Sequence, residues 1–212
     1  MNSPHPPPFV GSAQPAQAAS PAVKDLKEAG EVLLECWKGM GGNEDALRNG
    51  GGSDVSRWLG VSEVESGFIE KLDWKKQGLT GAVPEAVGRL VTLKYLGLNG
   101  NDISSVPASL GQLISLKELW LGYNRIAAIP SALSHLSSLT GLGLHGNLLT
   151  NLPPTLGQLS SLELLYLSSN PLTSVPEDIG ELKALTQLYL PKQTEGGIPA
   201  KVMALKVTPV FE

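Results

Sequence analysis

The sequence predicts an α/β solenoid, a curved stack of short layers with a parallel sheet along one side and a helical cap at its N-terminal end. Three observations carry that prediction. Apolar residues return at a fixed period from residue 69 onward. Hydrophobic residues make up 42% of the 212 residues but aromatic ones only 5%, which suits a core of many small aliphatic layers. A proline follows each apolar cluster at a constant offset, as expected where every layer makes the same turn.

Residues 1–21 interleave Pro4, Pro6, Pro7, Pro8, Pro15 and Pro21 with Ala, Gln and Ser. Such a stretch has too little apolar surface to offset the entropy of ordering, and is expected to be a disordered tail. Within it, His5 to Phe9 has the composition of an extended proline helix that an aromatic groove could bind. Residues 22–68 are expected to form a helical cap and loop. Ser20 and Pro21 offer a helix start. Val23, Leu26, Gly30, Leu33 and Trp37 then make one apolar stripe at helical spacing. Gly39, Gly41 and Gly42 stop it, and residues 43–54, with Gly50, Gly51 and Gly52, read as a loop. A terminal solenoid layer needs such a cover.

Six repeats are expected over residues 69–207. They begin at Ile69, Leu93, Leu116, Leu139, Leu162 and Leu185, the first 24 residues long and the next four 23. Apolar residues fall at positions one, four and six, as in Leu116, Leu119 and Leu121. Asn101, Asn124, Asn147 and Asn170 occupy position nine, and Ile103, Ile126, Leu149 and Leu172 position eleven. Val106-Pro107, Ile129-Pro130, Leu152-Pro153, Val175-Pro176 and Ile198-Pro199 follow. This is the leucine-rich-repeat signature. The fold class is therefore an α/β leucine-rich-repeat horseshoe. Positions four and six alternate with outward residues, as in a strand with one buried face. The position-nine amide can pair backbone groups that the turn would otherwise bury unpaired, so the four asparagines are expected to form a structural ladder. In the last repeat Gln193 replaces the ladder Asn, Glu195 replaces the apolar position eleven, and Pro191 ends the strand. These mark a terminal layer, with residues 207–211 folding over its open end and 208–212 closing the chain.

The repeats resemble those of intracellular leucine-rich-repeat proteins, including the plant intracellular Ras-group-related type and adaptor proteins. The run Trp58, Leu59, Gly60 and Val61, then residues 67–72, then Leu79, Thr80, Gly81, Ala82, Val83 and Pro84, resembles the N-terminal cap and first repeat of plant receptor-kinase ectodomains. That family usually ties its cap with a cysteine pair. Here Ser62 stands near one expected cysteine, and Cys36 is alone in the chain. The resemblance implies a fold and leaves function open.

Composition narrows the function. A net charge of −4 leaves no basic footprint for nucleic acid. No apolar run is long enough to enter and cross a membrane. The first ten residues lack the apolar stretch of a secretory signal. With one cysteine, the expected compartment is a reducing one, cytoplasmic or nuclear, and the cytoplasm is taken. No enzyme is expected. His5 lies in the tail, His135 in a return turn, and His145 has no carboxylate at the equivalent position of either adjacent strand. Cys36 beside Glu35 reads as a structural thiol. Neither a phosphate loop nor metal-ligand spacing is present, so no cofactor and no metal are expected.

The residues projecting from the strands are more informative. Positions three, five and eight face the concave side, with positions two and seven at its margins. They place Tyr95, Trp120, Tyr123, His145, Tyr166 and Tyr189 there, including all four tyrosines of the chain. Strands about 4.8 Å apart put Trp120 and Tyr166 roughly 10 Å apart with Gly143 between them. That predicts an aromatic rim round a glycine-floored dip. Lys71, Asp73, Lys75 and Lys76 form a solvated margin. Tyr and Trp are common anchors of protein interfaces, although aromatic side chains also simply pack well on sheets. A carbohydrate-stacking site is the smaller alternative. The expected function is a monomeric, non-enzymatic protein-binding module, a scaffold or regulatory subunit in signalling. The alternative is a receptor-like or immune-type recognition protein.

Overall fold

The computed structural model describes residues 22–49, 53–65 and 67–212. The proline-rich segment 1–21, with the expected Ser20–Pro21 helix start, and the Gly50, Gly51 and Gly52 run lie outside the described residues.

The first helix, α1 (Leu26–Gly39), starts at Asp25, whose side chain accepts from Glu28 N–H. Glu28 reaches back to the Lys24 N–H at 2.9 Å. One orphan donor of the first turn and the N–H just before the cap are thereby paired, and the cap lies four residues beyond Pro21. The buried stripe is broader than the spacing predicted. Ala29, Gly30, Val32, Leu33, Cys36 and Trp37 are all buried, while Leu26 is only partly so. The expected loop is partly helical, because Asn43 caps a short helix, α2 (Glu44–Arg48). The cap segment also contributes a strand. β1 (Val61–Glu65) pairs antiparallel with β2 (Phe68–Asp73).

From β2 the sheet continues in parallel through β4 (Tyr95–Gly97), β6 (Glu118–Trp120), β7 (Gly141–Gly143), β8 (Leu164–Tyr166) and β9 (Gln187–Leu190). Lys71 pairs with Tyr95, Tyr95 with Glu118, Glu118 with Gly141, Gly141 with Leu164 and Leu164 with Gln187. Position three therefore meets position three all along the sheet. The reason is packing: Leu72, Leu96, Leu119, Leu142 and Leu165 form one fully buried row, and a slip by one residue would turn that row to solvent. Two further strands, β3 (Thr80–Ala82) and β5 (Asp102–Ser105), pair on the return side.

Each proline then introduces a single 3-10 turn. These span Glu85–Arg89, Ala108–Gln112, Ser131–His135, Pro154–Gln158 and Glu177–Glu181. Proline supplies the extended residue before each turn and gives up no needed donor. The turns stack closely. A Cβ on Gly157 would lie 2.1 Å from the Asp178 carbonyl oxygen of the next layer.

Both ends are covered. At the start, Trp37 of α1 packs edge-on against Trp74 with centroids 5.0 Å apart. At the other end, β10 (Val210–Phe211) adds a parallel strand beside β9. A short helix, α3 (Ala200–Met203), buries Val202 against the last turn. Gln193, in place of a ladder asparagine, donates to the Asn170 carbonyl.

Candidate functional site

The site is built on backbone that the layers hold in place. Asn124, Asn147 and Asn170 each bridge adjacent repeats. The Asn147 oxygen accepts from Ile126 N–H at 3.0 Å, and its amide donates to the Leu121 and Leu144 carbonyls at 2.9 and 3.0 Å. Asn124 and Asn170 repeat this pattern one layer earlier and one later. Asn101 differs in accepting from two donors, Gln77 and Leu79. The residue before each asparagine is left-handed, as is Lys76 before Gln77 at the same place in the first repeat: φ is 71° at Gly100, 53° at Tyr123, 64° at Gly146, 54° at Ser169 and 54° at Lys76. That conformation favours glycine, so Tyr123 holds an aromatic side chain there at some cost in strain. Tyr123 is also 64% exposed.

Five of the six predicted aromatic-face residues meet. Trp120 and Tyr166 stack with centroids 5.8 Å apart and 24° between their planes. Tyr166 meets Tyr189 at 4.8 Å, and His145 meets Tyr123 at 4.8 Å and Tyr166 at 6.2 Å. Tyr95 stands apart, its ring beneath the Lys71 ammonium at 5.0 Å. The expected open dip is filled. The Trp120 ring lies across Gly143, where an added Cβ would meet it at 2.4 Å, and the His145 ring lies over Gly122 in the same way. The glycines seat neighbouring rings and so make the surface a continuous pavement. Sequence spacing located the Cα atoms about 10 Å apart, but a tryptophan ring spans much of that gap once the residue between has no side chain.

Polar groups fix the rings. Trp120 Nε1–H donates to the Glu118 carboxylate at 2.8 Å, and the Tyr166 hydroxyl donates to Gln187 Oε1 at 2.8 Å. Burial pushes the Tyr166 phenol above its ordinary range, with Tyr189 adding a smaller push. Burial lowers the His145 pKa, against a weaker upward pull from the Glu212 carboxylate. The His145 Nδ1 is buried and has no hydrogen-bond partner among the described residues. At the N-terminal margin Lys75 pairs with Asp73 at 3.0 Å, and Lys94 with Glu70 at 2.7 Å.

The remaining candidates are quiet. Cys36 is buried in α1, and burial pushes its thiol up to about 12, with Glu35 adding to the effect. The thiolate a nucleophile needs is therefore suppressed. No cluster of three or more His, Cys, Asp or Glu side chains gathers among the described residues. Nor does any described helix have the length and apolarity to cross a membrane.

A profile of the family "Leucine-rich repeat region" matches residues 71–168, and one for "Leucine Rich Repeat" matches 161–182. The chain is a leucine-rich-repeat protein. Its repeats superpose on those of PEPR1 in the PEPR1–AtPEP1 complex with a TM-score of 0.69 and 29% identity, over 76% of this chain and 24% of that one. The BIR3–SERK2 complex of Arabidopsis thaliana gives 0.61 and 26%, over 71% and 87%. A leucine-rich-repeat protein of Leptospira interrogans gives 0.53 and 26%, over 68% and 42%. The chain thus spans less than half the length of PEPR1 or of the Leptospira protein. No curated protein matches the sequence.

Proposed function

We propose that the aromatic face of this leucine-rich-repeat sheet is a protein-docking surface, and that the chain acts as a monomeric, non-enzymatic scaffold or regulatory module in signalling. The observation that carries this reading is the joined set of rings from Trp120, Tyr123, His145, Tyr166 and Tyr189. They stand on strands, or on the turns just after them, that the asparagine ladder locks, so binding orders little that is not already ordered. Tyr123 strengthens the case, because an exposed ring kept in a left-handed conformation adds nothing to the core. A cytoplasmic setting is supported by the single, buried Cys36 and the lack of any disulfide it could form within the chain.

The test compares proteins retained from native lysate by the wild-type chain, by Trp120→Ala with Tyr166→Ala, and by the return-side variant Gln112→Ala. The double variant should weaken the retained partner's affinity by at least about 2 kcal/mol, the scale of interface hot spots. Gln112→Ala should leave it unchanged. Undiminished binding by a folded double variant refutes the reading. A second reading, receptor-like recognition, is favoured by the similarity to PEPR1 in its complex with AtPEP1. Fractionation of the native protein separates the two, since recovery from the secretory pathway supports the receptor-like role.

A further inference from the structure

We infer that the aromatic face is a groove for a polyproline helix, and that its occupant is the chain's own segment at residues 4–9. The inference rests on the reading of this face as a docking surface and adds what covers it.

Ring geometry comes first. Trp120, Tyr166 and Tyr189 form a row with successive centroids 5.8 and 4.8 Å apart. One turn of a polyproline helix rises about 9 Å over three residues, which is comparable to that row. Residues 4–9 read Pro-His-Pro-Pro-Pro-Phe, so Pro4 and Pro7 stand one turn apart on the same edge. Such helices dock on surfaces lined by Trp and Tyr because the proline rings pack on the aromatic faces and the helix has little entropy left to lose. The indole of Trp120 rests on Gly143 and stacks with Tyr166, yet stays half-exposed, which leaves part of the ring to a ligand. The exposed Tyr123 ring at the margin, seated over Gly146, supplies a wall against which Phe9 can pack.

The chain is also long enough. Its described part starts at residue 22, and Val23 N–H donates to the Arg89 carbonyl in the first repeat. Residues 10–21 can span roughly 40 Å when extended. Trp120 lies two strands further along the sheet, and strand and layer spacings put it roughly 15 Å away in a straight line, or about twice that around the rim. The segment therefore reaches without strain, and joining it to the groove in one chain gives it an effective concentration in the millimolar range.

The test uses the full chain with Ser3→Cys carrying a nitroxide. Cys36 is buried with its thiol held protonated, so the label goes to residue 3. The four tryptophans give four indole N–H signals, of which Trp37, Trp58 and Trp74 are buried and serve as controls. The Trp120 signal should lose at least half its intensity, and recover when the nitroxide is reduced. The control signals should hold. Replacing the prolines together (Pro4→Ser, Pro6→Ser, Pro7→Ser and Pro8→Ser) should abolish the loss while leaving the three buried indole signals in place. An unaffected Trp120 signal, or a loss that survives the proline replacements, overturns the inference. A loss that fades on tenfold dilution overturns it too, by assigning the groove to a second copy's segment. None of these failures restores partner binding to the Trp120→Ala, Tyr166→Ala variant, so the docking-surface reading stands or falls separately.

Discussion

Asn147 ties three backbone segments of two repeats together through one amide. Its carboxamide satisfies a buried donor in the preceding repeat and carbonyls in two repeats. Alanine in its place leaves those groups buried and unpaired, and Asn147→Ala should cost about 1–3 kcal/mol. A shift in the urea midpoint measures this, and an unchanged midpoint contradicts the ladder. His145 makes a different prediction. Its folded-state pKa lies below the ordinary value of 6.5 because burial disfavours the cation. Above about 6.5 neither state carries the proton, and the protein keeps its full stability. As pH falls from there through the folded-state value, the unfolded chain takes up a proton that the folded one resists, so stability falls. Asn occupies the equivalent position in an earlier repeat, as Asn99. His145→Asn should flatten the decline of melting temperature between pH 7 and about 5. A variant with the same slope as wild type rules out His145 as its source.

The 3-10 turns show how one atom sets the distance between elements. Glycine stands at the fourth residue of the turns at 85–89, 108–112, 154–158 and 177–181, and a Cβ there would strike the next layer, at 2.5 Å from the Ser109 carbonyl for Gly88 and 2.1 Å from that of Asp178 for Gly157. Backbone cannot move aside as a flexible side chain can. Gly157→Ala should therefore destabilise by about 1–3 kcal/mol, the range for overpacking, although alanine is the better helix former. Thermal unfolding that shows equal or higher stability would refute this. The same comparison explains which features of the elements were legible. The repeat period, the ladder asparagines and the prolines follow from local rules and were readable residue by residue. The start of α1 was also written in the chain, as Asp25 and Glu28 three residues apart, and the Ser20–Pro21 signal obscured it. By contrast β1 carries no strong strand signature and forms because β2 offers it an edge.

Across the whole molecule, each layer touches only its neighbours, so stability accumulates along the stack. The inner layers are held from both sides and the outermost from one. Amide exchange should accordingly be slowest at Leu144 and Leu167, whose N–H groups bond to Tyr166 and Tyr189 carbonyls. It should be faster at Glu212, bonded to Leu190 in the last strand pair. Uniform protection from β2 to β10 would indicate a single cooperative unit instead. The sequence by itself determined the fold class, the sheet register and which side chains share a face, because period, alternation and turn chemistry are local and repeat five times over. Tertiary structure alone decided how that face is finished. The distance from Trp120 to Tyr166 is a property of two rings, the glycine beneath one of them and the partners Glu118 and Gln187. Spacing rules place Cα atoms and say nothing of the torsions that lay an indole across a neighbouring strand. What read as a rim around a gap is therefore a paved surface, because aromatic rings gain more by covering bare backbone and one another than by standing apart in water.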